Sequence, residues 1–123
     1  MGRETMKTAD MVKVVRRWFR KAGQAMGPVL PDGWFGRPYD NLYELKNIAV
    51  DGDVFTIHLS QDTSLEFHRL GRVHIDDSQL VLEDFSLFSL RWREYGGVSD
   101  LEKRYDTGQV RLVPPVGTNI AVI

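Results

Sequence analysis

Cysteine is absent from the 123-residue chain. Disulfide frameworks, thiolate zinc sites and cysteine nucleophiles are therefore excluded, and the composition is compatible with a reducing cytoplasm. Long apolar runs are also missing. Nothing approaches the ~20 residues of a membrane-spanning helix, and the first residues lack the apolar stretch of a secretory signal. Glu4 and Asp10 disfavour a transit peptide. Charge of one sign is not in excess: 16 basic against 17 acidic residues leave −1, so bulk charge does not mark a nucleic-acid binder. The P-loop, the dinucleotide-binding glycine fingerprint, the serine nucleophile elbow and the HExxH zinc motif are all absent. Gly96-Gly97 is too short for a phosphate loop. No cofactor and no metal is expected, and the sequence fixes no reaction.

What is present is a run of short alternating segments from Leu42 to Tyr95. Phe55, Ile57 and Leu59 alternate with mostly polar neighbours, as do Leu65 and Phe67, Val73 and Ile75, and Leu80 and Leu82. Period two with one apolar face predicts half-buried strands. Asp51-Gly52 reads as a two-residue hairpin loop, because glycine accepts the positive φ of a primed turn; it would place Ile48 opposite Phe55. Asp77-Ser78 predicts a second hairpin, pairing Ile75 with Leu80, Val73 with Leu82 and Arg72 with Glu83. Gln61-Asp62-Thr63 would join the middle strands with Ser60 opposite Ser64. One straight strand over Gln79–Tyr95 would span roughly 55 Å, too long for a small sheet. A break near Glu83-Asp84 and a bulge near Leu87-Phe88 are expected instead.

Ahead of this meander, Ala9–Met26 reads as an amphipathic helix, capped by Thr8 and stopped by Gly27-Pro28. Its apolar residues, Trp18 and Phe19 among them, fill an arc of about 160° at 100° per residue. Lys13, Arg16, Arg17, Arg20 and Lys21 take the opposite arc. Residues 1–30 carry seven basic groups against two acidic, +5, so the remainder is −6. The simplest reading is a helix lying on the sheet with its basic side in water. The alternatives are an anionic partner, nucleic acid or membrane, held by those five cations.

Residues 27–41 form a loop rich in glycine and proline, in which Trp34, Phe35, Arg37 and Tyr39 either bind something or plug one end of the sheet. Trp34, Arg37, Tyr39, Trp92 and Tyr95 are the candidate lining of a pocket at the open end. His58, His68 and His74 fall on the polar side of their strands. If the third and fourth strands paired directly, His68 would face His74, a weak zinc-like grouping. Ser99-x-x-Glu102 reads as a capping box opening a short helix over Asp100–Tyr105. Gln109–Val113 is a weak last strand ended by Pro114-Pro115. The apolar tail Asn119–Ile123 could add an edge strand, fray, or pack at an interface such as a homodimer's.

The expected fold is α+β: one domain, residues 1–123, with an N-terminal amphipathic helix packed on a curled antiparallel β-meander of about five to seven strands, a roll or partly open barrel. The leading functional expectation is a small cytoplasmic, non-enzymatic binding domain for a protein or small ligand. A ligand-binding protein or enzyme with a pocket at the open end is the first alternative, and a peripheral binder of anionic polymer or membrane the second.

Overall fold

The computed structural model describes residues 6–36, 42–93, 100–118 and 120. The fold is α+β, as the pattern predicts: one helix and two antiparallel sheets. Helix α1 (Thr8–Ala22) is followed by β1 (Ala25–Leu30), β2 (Gly33–Trp34), β3 (Leu42–Tyr43), β4 (Leu45–Asp51), β5 (Val54–Leu59) and β6 (Thr63–His68). Then come β7 (Arg72–Asp76), β8 (Gln79–Glu83), β9 (Leu87–Arg93), β10 (Asp100–Tyr105) and β11 (Gln109–Val113). The first sheet runs β2-β1-β11-β8-β7, with β3 also on β1; the second runs β10-β9-β6-β5-β4. The meander is thus divided between two sheets and closes no barrel.

The helix is shorter than its apolar arc suggested. It ends at Ala22, where Gly23 takes a positive φ of 78° and its N–H bonds the Phe19 carbonyl at 2.7 Å. Ala25 and Met26 are buried as strand residues rather than as helix. Gly27-Pro28 therefore lies inside β1, and the pairing of β1 with β11 shifts register between Met26 and Val29. Such an irregularity is where a strand tolerates a proline, which has no N–H to give the ladder. The helix N-cap is Lys7 without a side-chain bond; Thr8 is its first residue, not its cap.

The hairpins keep the expected faces while two registers differ. The Asp77-Ser78 loop pairs Ile75 with Leu80, Val73 with Leu82 and Arg72 with Glu83, as expected. Both loop residues have positive φ, 51° and 64°, the signature of a type I′ turn. In the β4–β5 hairpin the loop is Gly52-Asp53, one residue later than read, because Gly52 supplies the positive φ at the first central position. Ile48 therefore faces Ile57, and Val50 faces Phe55. Between β5 and β6 the loop is Ser60-Gln61-Asp62, with Leu59 opposite Thr63 and His58 opposite Ser64. Gln61 and Asp62 both take positive φ there, and Gln61 is tied by its Nε2 to the Leu42 carbonyl at 2.8 Å. Both shifts amount to two residues in pairing, so the apolar rows stay inward.

Two further expectations are corrected. Asp84, at φ 62°, breaks the long segment as predicted, but no bulge follows. Instead the chain crosses between sheets, and β9 pairs regularly with β6 and β10. The change of parity is a change of sheet. Residues 100–105 are a strand, not a helix: Leu101 lies opposite Trp92, and Tyr105 opposite Phe88. Ser99 of the supposed capping box lies outside the described residues. In the tail, Ile120 is buried and its N–H bonds Ser78 Oγ at 3.1 Å; residues 119 and 121–123 lie outside the described residues.

One core joins all layers. Met11, Val15, Trp18 and Phe19 of α1 meet Val73, Leu80, Leu82, Val110 and Leu112 of the first sheet and Phe55, Ile57, Leu65, Phe67, Phe88 and Leu90 of the second. Phe67, Phe85 and Phe88 form an aromatic cluster with centroids 4.8–5.9 Å apart. Trp18 is fully buried, and its indole N–H donates to the Ser78 carbonyl at 2.9 Å. That bond pins the middle of α1 to the β7–β8 turn.

Candidate functional site: the basic face of the helix

Burial of Met11, Val15, Trp18 and Phe19 fixes how α1 is rotated. The opposite side must then face outward, and Lys13, Arg16, Arg17, Arg20 and Lys21 are all exposed. Their environment differs from that of several arginines on and between the sheets. Arg69 reaches Asp53, Arg72 reaches Glu83, Arg91 reaches Glu66 and Glu102, Arg104 reaches Glu102, and Arg111 reaches Asp76. Among the described residues, no hydrogen bond or ion pair engages Arg16, Arg17, Arg20, Lys13 or Lys21. Arg20 and Lys21 lie in the last turn, where cations complement the negative end of the helix dipole. Lys13, Arg16 and Arg17 sit mid-helix, where the dipole favours neither sign.

Beside this face, Arg16, Phe19, Arg20, Gly23, Glu44 and Leu45 line an open depression of about 410 Å³. The Glu44 carboxylate is turned to Lys46 at 3.5 Å and to the Gln24 amide at 3.5 Å. Among the described residues, neither Arg16 nor Arg20 at its rim has a hydrogen-bond or ion-pair partner. Comparison with protein-family models, curated proteins and solved structures finds no match to this chain. What the surface does must therefore be read from its own chemistry.

The aromatic pocket is only partly within view. Arg37, Tyr39 and Tyr95 lie outside the described residues. Trp34 is 36% exposed and lies across Gly27, where an added Cβ would meet its ring at 3.2 Å. Phe35 packs edge-on against Trp92, at 4.8 Å. Trp92 lines an open depression of about 330 Å³ with His58, Leu59, Asp62, Thr63, Ser64, Arg91 and Arg93. No hydrogen bond joins His58, Asp62 or Ser64 to one another there.

The three histidines do not gather. β6 pairs with β9 and β7 with β8, so His68 and His74 lie on different sheets. His68 Nε2 meets Glu66 Oε1 at 2.9 Å, and His74 Nε2 meets Glu83 Oε2 at 3.0 Å. His58 is exposed opposite Ser64. Among the described residues, no three histidines and carboxylates are grouped to hold a metal.

Sequence reasoning missed a polar ladder across the second sheet. Glu66 is ion-paired with Arg91 at 3.3 Å as well as meeting His68, and Glu102 lies 3.7 Å from Arg91 and accepts from Arg104 at 2.8 Å. The bond from Arg104, with the positive charge of Arg104 and Arg91, holds the Glu102 carboxyl below its usual range. Two tyrosines are shifted the other way. Burial raises Tyr43 against a lowering bond from Thr63, and burial together with the bond to Asp32 raises Tyr105. Alternation marked Glu66, His68 and Arg91 as outward, but Glu102 and Arg104 were read as helix, and only the pairing of β10 with β9 brings them to the ladder.

Proposed function

We propose that this protein is a non-enzymatic binding module that docks an anionic partner through the basic face of α1. The observation that carries the reading is the contrast between arginines. Arg69, Arg72, Arg91, Arg104 and Arg111 are engaged by carboxylates, while Arg16, Arg17 and Arg20 have no partner among the described residues. An arginine fork left free on a rigid, docked helix is preorganised for carboxylate or phosphate. A cytoplasmic setting belongs to the same reading; among the described residues no helix is long and apolar enough to cross a membrane.

The test is an amide-shift titration with heparin as a generic polyanion at low salt. Shifts should centre on α1 and vanish in the Arg16→Glu/Arg17→Glu/Arg20→Glu variant, whose melting should stay within about 1 kcal/mol because exposed charges add little to stability. Shifts centred on the depression at Trp92, or no shifts at all, would overturn the reading.

A further inference from the structure

We infer that the anion recognised by α1 is the phosphate backbone of a B-form DNA duplex, met along its major groove without sequence preference. The inference rests on the anion-binding reading above and narrows it by three observations. The first is shape. Stepped at about 100° per residue, the five cations cover an arc of about 140°. Lys13 and Arg20 lie near its crest, Arg16 on one flank, Arg17 and Lys21 on the other. Charge on both flanks suits a channel with phosphates on either side, whereas a flat surface meets chiefly the crest. With its side chains an α-helix is about 10–12 Å across, which matches the ~12 Å width of the major groove that admits one.

The second observation is what the exposed side lacks. Single strands are held by stacking bases on aromatic side chains, and interfacial helices insert apolar ones. Trp18 and Phe19 are both buried, at 0% and 5% exposure, together with Met11 and Val15. The exposed residues of α1 are Thr8, Ala9, Asp10, Lys13, Arg16, Arg17, Arg20 and Lys21, with no aromatic among them. Neither a stacking platform nor a membrane anchor is on offer. The major groove of duplex RNA is deep and narrow, closed to such an element.

The third is the charge of the remaining chain. Residues 31–123 carry −6, so a polyanion is repelled once it extends beyond this helix. Contact is therefore local and easily reversed, with up to five phosphates neutralised and a log–log salt slope of about −4.

The test is fluorescence anisotropy at low and rising salt with the full chain. The probes are a mixed-sequence DNA duplex of about two helical turns, one of its strands alone, an RNA duplex of equal length, and vesicles of phosphatidylserine and phosphatidylcholine. The DNA duplex should bind at least about tenfold tighter than the single strand, with the slope above. Arg17→Gln should reduce that slope by about 1. Arg16→Glu/Arg17→Glu/Arg20→Glu should weaken binding at least about a hundredfold, and circular dichroism should show the same melt. Should that variant fail to fold, the single Arg17→Gln slope decides. Equal or tighter binding to single strand, RNA or vesicles, still lost in the variants, overturns the duplex assignment and leaves the basic face standing. No binding to any probe at low salt overturns both.

Discussion

Truncating Trp18 tests whether α1 is part of the core or only rests on it. The side chain is 0% exposed, meets Phe19 edge-on at 5.0 Å and donates its indole N–H to the Ser78 carbonyl at 2.9 Å. Trp18→Ala removes the ring and the donor together. Losing a buried large aromatic costs about 3–5 kcal/mol, against a total stability of order 5–15 kcal/mol for a domain. In urea the unfolding midpoint should fall by roughly 2 M, taking a mid-range m-value. Trp18→Phe keeps a buried ring but loses the bond and part of the ring's volume, so it should cost less than the alanine change, about 1–3 kcal/mol. Far-UV circular dichroism is the assay, because the signal from Trp34 and Trp92 would otherwise confuse fluorescence. A loss below about 1 kcal/mol for the alanine variant, the range of surface changes, would mean the helix is not docked. The fixed orientation of its basic face would fall with it.

Two smaller perturbations test the rest of the frame. Gly71→Ala would place a Cβ 2.9 Å from both Asp84 Cβ and the Asp84 carbonyl, so overpacking of about 1–3 kcal/mol is expected; an unchanged melt would show that the two crossings do not touch. Because Glu102 titrates below its usual range when folded, its contribution is present above the unfolded pKa and lost as pH falls through the folded one. Glu102→Gln should therefore flatten the acid limb of the stability curve, and carbon-detected NMR should show the Glu102 carboxyl titrating below an ordinary glutamate; a normal midpoint would refute the ladder.

The legible parts were those set by local chemistry. Asp77-Ser78 took the predicted register because both residues tolerate positive φ between two well-matched apolar rows. The face of every strand from β5 to β8 followed from parity, and parity survived even where the Gly52 and Ser60 loops were placed wrongly. What parity cannot report is the sheet to which a strand belongs. Arg69 and Asp84, both at positive φ, turn the chain from one sheet to the other and back, and neither residue type announces that. Residues 100–105 carried a capping-box pattern and an alternation of Leu101 and Tyr105 at once; pairing along β9 decided for the strand. For the site, the helical period gave the whole basic face, and only the structure showed that its arginines lack partners among the described residues while Arg72, Arg91, Arg104 and Arg111 on the sheets have them.

The excursion from Arg69 to Ser86 leaves the second sheet and returns to the place it left. His68 and Leu87 are paired across its base, and Ser86 N–H bonds the His68 carbonyl at 2.9 Å. The second sheet is therefore built almost entirely from neighbours in the chain. The first is assembled from the excursion, from β1 near the beginning and from β11 near the end. Closing distant segments costs loop entropy before any contact repays it. The second sheet should thus form early, and the pairing of β1 with β11 should complete late. Until it does, β1 and the edge of β11 that faces it stand open as unpaired strand edges. Kinetic traps and aggregation in this chain should originate there, far from the meander that dominates its sequence.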